Sequence, residues 1–198
     1  MMTQTHLLLG AALFARPGQS RRNTTIIVGS FVPDLAIYIL FAWASITGID
    51  QETLWRETYW SEPWSTWTTI GNSFPLYFAF LLAALLLVAP KDGRPRWQSL
   101  PALFALAALI HLLGDFPLHA SDAHRHFWPI SEWRFSSPVS YWEPDHYGGI
   151  FAPIESIFGI GLAVLLWRRF SHRLVRGCLL ILLLAYLAVP VFFVLQLG

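Results

Sequence analysis

The chain has 198 residues, 55% of them hydrophobic and only 13% charged, with a net charge of +1 and a mean hydropathy of +0.50. A soluble domain carries about 25% charged residues, so this composition excludes an ordinary water-covered globule and points to an integral membrane protein. The single cysteine, Cys178, excludes an internal disulfide and a thiolate zinc site.

In chain order, the first apolar piece covers residues 5–15, too short for a crossing and suited to a half-span, an interfacial helix or a packed segment. No Lys or Arg precedes it, which argues against a standard signal peptide. Five longer runs follow, at 24–45, 70–90, 99–118, 150–167 and 177–197. Each approaches the ~20 helical residues that cross a bilayer. The expectation is an all-α polytopic transmembrane bundle of about five spans plus a short N-terminal helix, forming one integral membrane domain over residues 1–198. No repeat and no nucleic-acid motif stands out.

Basic residues sort the connections. Arg16, Arg21, Arg22, Lys91, Arg94, Arg96, Arg168, Arg169, Arg173 and Arg176 occupy alternate loops. The other two hold only Arg56, Arg125 and Arg134. The positive-inside rule places 16–23, 91–98 and 168–176 in the cytoplasm. Loops 46–69 and 119–149 and the C-terminus then face outward, to the periplasm if the membrane is a bacterial inner membrane. The outward loops hold seven Trp residues, from Trp55 to Trp142, which suit the headgroup zone.

Carboxylates inside apolar spans are costly and mark a polar interior. Asp34, Asp115 and Glu155 are three such groups. The topology gives them a common depth in the outer half of the membrane, as one pocket open to the outside would. His111 and Asp115, at i and i+4, share a helix face. They can reach one metal ion, or Asp115 can orient His111. Pro117 is expected to end or kink the helix behind them, and Pro33 to do the same to the first span. For His119, His124, His126 and His146, a ligand role and an ordinary loop position both stand open. For Glu155, pairing with Arg125 or Arg134 competes with a catalytic role. His6 is the weakest candidate, and His172, in a basic loop, is set aside.

Three blocks resemble the YbcI/YdjM-like family of membrane-bound, predicted metal-dependent hydrolases. They are Thr5-His6-Leu7-Leu8-Leu9-Gly10, then Gly29-Ser30-Phe31-Val32-Pro33-Asp34, then His111-x-x-x-Asp115 with Phe127-Trp128-Pro129-Ile130-Ser131-Glu132-Trp133-Arg134-Phe135. The resemblance implies that His6, Asp34, His111 and Asp115 are site residues. The chain departs from the family at Ala36, where a second Asp is common. It departs again at residues 65–73, where a histidine-rich block is replaced by a stretch with no histidine.

The leading expectation is a membrane-embedded metal-dependent hydrolase. Its ligands would be His6, Asp34, His111, Asp115 and His119, its ion divalent and best matched by zinc. Glu155 or Asp145 would act as general base, and a lipid-like or phosphoester substrate would come from the bilayer. A proton- or cation-coupled transporter, or a structural protein with a degenerate site, are the alternatives.

Overall fold

The computed structural model describes residues 1–89 and 93–197, with side chains described as far as 188. Of the basic connection 91–98, Lys91 therefore lies outside the described residues, and in the span expected at 177–197 the side chains after 188 do. The described chain is helical, with no strand. Nine α-helices follow in order: α1 Thr3–Phe14, α2 Ser20–Phe31, α3 Leu35–Thr47, α4 Gln51–Arg56, α5 Trp64–Gly71, α6 Phe74–Leu87, α7 Leu100–Asp115, α8 Gly148–Arg169 and α9 Arg173–Leu197.

Among the described residues, two helical segments are long and apolar enough to cross a membrane: Ser20–Thr47, in which α2 and α3 run on, and Gly148–Arg169. A third is reached if α5 and α6, bent by 46° at their junction, count as one span. That is consistent with a membrane protein but is fewer than the five spans expected. The difference has a local cause. Hydropathy counts apolar residues, whereas helix length is set by the ends. Ser99 is extended before α7, and the helix stops at Asp115, ahead of Pro117. Its 16 residues reach about 24 Å, short of the ~30 Å core. Pro33 acts more gently than expected. It produces a 3₁₀ turn, Val32–Asp34, between α2 and α3 without breaking the segment.

Helix α7 is central, packed on α1, α2 and α6. Ala102, Ala105, Ala107 and Ala108 are all buried on it, and such small residues let backbones approach closely. Gly29 on α2 completes the contact: a Cβ there would lie 2.5 Å from the Phe104 carbonyl oxygen. Helix α1 is a packed segment, lying against α2, α7 and α8. A Cβ on its Gly10 would meet Ser30 Oγ at 2.1 Å. Arg169 donates to the Ala12 carbonyl at 2.7 Å and Arg22 to the Phe14 carbonyl at 2.7 Å. Two guanidinium groups thus close the negative, C-terminal end of α1. At its other end the Met2 backbone N–H donates to Glu155 Oε1 at 2.6 Å. These ties hold His6, one turn into α1, at a fixed place beside α7.

Candidate metal centre

Four elements converge. Helix α1 brings His6, the turn before α3 brings Asp34, the last turn of α7 brings His111 and Asp115, and the loop beyond brings His119. His6 and His111 are buried, their rings stacked 3.5 Å apart and 9° from parallel. Asp115 sits between the histidines. Its Oδ1 lies 2.9 Å from His6 Nε2 and 3.4 Å from His119 Nε2, and its Oδ2 lies 2.9 Å from His111 Nε2. The Met1 amino group also pairs with Asp115. Asp34 is at the edge, half-buried, with Oδ1 3.5 Å from His111 Nε2 and Oδ2 accepting from Thr3 Oγ1 at 2.6 Å. His6, His111 and Asp115 each offer a ligand atom, all within 4.8 Å of one another, so the group could hold a metal ion.

The hydrogen bonds around the cluster orient it. His111 Nδ1 is 2.7 Å from the Ser30 carbonyl oxygen. A carbonyl only accepts, so Nδ1 carries the proton, and in the neutral ring Nε2 is a lone pair. That lone pair faces two carboxylates, an arrangement that repels unless a proton or cation lies between. The Nε2 atoms of His111 and His119 are both buried without a hydrogen-bond partner. His119 repeats the pattern: its Nδ1 is 2.8 Å from Asp122 Oδ2, which also accepts from Trp142 Nε1 at 3.1 Å. An imidazole whose far nitrogen is tied to a carbonyl or carboxylate is the usual form of a metal-binding histidine. The donors are nitrogen and oxygen only. That set fits zinc, manganese or iron.

The loop 116–147 has no regular element long enough to hold its histidines, and serines pin it instead. Ser137 Oγ donates to the Pro117 carbonyl at 2.6 Å, Ser137 N–H to the His119 carbonyl at 2.9 Å, and Ser136 Oγ to the Ala120 carbonyl at 2.9 Å. His124 and His126 extend the cluster outward. The His119 and His124 rings are 5.1 Å apart, and those of His124 and His126 5.6 Å. His126 Nδ1 donates to the Asn72 carbonyl at 2.8 Å. Its partner belongs to the histidine-free stretch 65–73, so loop histidines lie against that stretch. Burial would lower the pKa of His119, but Asp115 and Asp122 outweigh it and hold it up at about 9. His124 is pushed down by burial, then by the charges of His119 and His126.

Other expected residues are not in the group of His6, His111 and Asp115. Glu155 is buried on α8 and holds the start of α1, and its Oε2 has no partner. Neither arginine pairs with it: Arg125 meets Glu132 at 2.9 Å, and Arg134 lies over the Trp60 ring. Asp145 is exposed on the 3₁₀ turn Pro144–His146, away from the cluster. His146 shares that turn. Asp122, Ser30 and Thr3 were not expected from sequence. Only Asp122, seven residues after Asp115 among histidines, carried a signal that could have raised it.

The chain matches no family model, no curated protein and no solved structure.

Proposed function

We propose that the chain is a membrane-embedded, metal-dependent hydrolase whose ion is held by His6, His111 and Asp115, with Asp34 and His119 completing the ligand set. One observation carries this: His111 Nδ1 is committed to the Ser30 carbonyl, which turns the buried Nε2 onto Asp115 Oδ2 at 2.9 Å and Asp34 Oδ1 at 3.5 Å. Either a proton or a cation lies between those atoms, and the convergence of His6 Nε2 and His119 Nε2 on the same carboxylate favours the cation. A divalent ion, when bound, supplies acidified water and polarises a carbonyl or phosphoryl oxygen. Asp34 is the least buried member of the set, its side chain 13% exposed. Glu155, with its free Oε2, is the better placed of the two carboxylates to take a proton; Asp145 is too exposed.

The resemblance to the YbcI/YdjM-like family supports the same reading, since the blocks that carry it supply His6, Asp34, His111 and Asp115. A five-span arrangement in a bacterial inner membrane is part of the proposal. Arg22 and Arg169 meet at the far end of α1 from His6, which supports a cluster on the side opposite the basic loops. Elemental analysis of the purified protein tests the reading. Wild type is expected to carry a divalent ion, zinc first among the candidates, and the His111→Ala/Asp115→Ala double variant to lose it. No ion in wild type, or equal content in both, ends it.

A cation relay is the second reading, favoured by the 46° bend between α5 and α6, since broken helices line transport sites. Flux into liposomes that disappears in Asp34→Asn, from protein with no bound metal, would replace the first reading with this one.

A further inference from the structure

Next to the cluster, on the outer side of His124, lies a narrow cleft lined by Tyr59, Trp60, Thr68, His124, Arg125 and Arg134, among others. Its two arginines differ. Arg125 is committed on every side: Nε donates to Thr69 Oγ1 at 3.0 Å, Nη1 to Glu132 Oε2 at 2.9 Å and Nη2 to the Ser65 carbonyl at 3.3 Å. Arg134 is exposed, and among the described residues its guanidinium has no carboxylate partner. It lies over the Trp60 ring, 5.2 Å from the centroid. An aromatic face holds a guanidinium in place while leaving its edge of N–H donors free.

The cleft also points inward. His124 forms part of its lining, the His119 ring is 5.1 Å from His124, and His119 Nε2 is 3.4 Å from Asp115 Oδ1. Two side chains therefore separate the cleft from the carboxylate at the centre of the cluster. Arg134 thus places a cation at the opening of a cleft whose lining touches the cluster through His124 and His119.

We propose that the Arg134–Trp60 pair is the anion-recognition element of this site and that it takes the phosphate group of the substrate. This rests on the hydrolase reading and narrows its substrate class to phosphate-bearing molecules. Guanidinium N–H donors match phosphate oxygens as a fork. Phosphate is also the anion that a bilayer presents in its headgroup layer, where tryptophan-rich loops such as that of Trp60 settle. A lipid headgroup and a soluble ester both carry such a phosphate, and the chemistry of recognition is the same.

The test uses the full chain in nanodiscs of zwitterionic lipid. Binding is followed by tryptophan fluorescence on titration with inorganic phosphate, with glycerol phosphate and with vesicles containing phosphatidic acid. Wild type is expected to bind at least one phosphate probe. Arg134→Gln is expected to weaken that binding at least tenfold, and Arg134→Lys to recover part of it. Binding of the soluble probes identifies a soluble ester as the source, and binding of the vesicles alone identifies a lipid headgroup. Because Arg134 is exposed, unchanged metal content in Arg134→Gln serves as the check on folding. His111→Ala, which the hydrolase reading predicts to lose metal, is expected to keep its phosphate affinity, so the two readings fail separately. Equal affinity in wild type and Arg134→Gln, no binding of any phosphate probe, or tighter binding of acetate than of phosphate overturns the proposal.

Discussion

His111 and Asp115 stand one turn apart on α7, with His111 Nε2 2.9 Å from Asp115 Oδ2, while the opposite ring nitrogen is locked to a carbonyl on α2. The pair is therefore oriented by a neighbouring helix and not by its own spacing alone. Asp115 also faces His6 and His119 through Oδ1, so its charge is the common element of the cluster. Asp115→Asn keeps the shape and removes that charge. It is expected to weaken divalent-ion binding by at least roughly 100-fold, the upper end seen for residues that merely orient a ligand. Competition against a chelator, read by elemental analysis, measures this; affinity within a few-fold of wild type would show that Asp115 is not a ligand.

Asp122 touches the cluster only through His119. Held by Trp142 Nε1 as well, it fixes the His119 ring so that Nε2 turns to Asp115. Asp122→Asn is expected to cost roughly 10- to 100-fold in metal affinity, with little change in thermal stability of the helices. A melting curve and a metal titration on the same sample separate the two effects. If stability falls and affinity does not, Asp122 serves the loop alone.

Local spacing made part of this site visible in sequence. His111 and Asp115 are four apart on an apolar helix, and Asp34 follows Pro33 inside another, so each reads as a costly polar group. His6 reads weakly because nothing in its own segment demands a partner. Its importance comes from the docking of α1 between α2, α7 and α8, which depends on Gly10 meeting Ser30 and on caps from Arg22, Arg169 and Glu155. Two of those contacts, Arg169 to Ala12 and Glu155 to Met2, join residues more than a hundred positions apart, and none leaves a periodic trace. The span expected at 99–118 shows a related limit: apolar composition runs continuously through it, but Ser99 and Pro117 bound the helix more tightly than hydropathy does. In the loop 116–147 the serines and Asp122 act through single hydrogen bonds, which have no sequence period.

Gly10 tests whether packing of α1 holds the site together. A Cβ there would lie 2.1 Å from Ser30 Oγ and 3.3 Å from Ser30 Cβ. Overpacking of this kind costs roughly 1–3 kcal/mol. Gly10→Ala is expected to lower the melting temperature and, by shifting the carbonyl that orients His111, to weaken metal binding. Ser30 Oγ is buried with no hydrogen-bond partner, so Ser30→Ala removes the nearer clash at little cost. The Gly10→Ala/Ser30→Ala pair is expected to recover part of both losses, a positive coupling between neighbours. Strict additivity of the two substitutions would place the strain elsewhere.

The loop histidines set a pH window for the metal-free protein. His119 is raised from 6.5 to about 9 against the pull of burial, by Asp115 and Asp122. A histidine raised in the folded state contributes its stability in full below the unfolded value, and that contribution is lost as pH climbs through about 9. His124 has the opposite sign. Burial, then His119 and His126, lower it from 6.5, so below that value the unfolded chain takes up a proton that the folded chain refuses. The two together predict greatest loop protection near pH 6.5, falling toward about pH 9 as His119 gives up its proton and falling below pH 6.5 as the unfolded chain protonates at His124. Metal reverses the alkaline limb, because an ion on His119 displaces the proton there and binds more tightly as pH rises. Hydrogen exchange of residues 117–126 across pH, with and without zinc, reads both effects. An alkaline limb that zinc leaves unchanged would remove His119 from the ligand set.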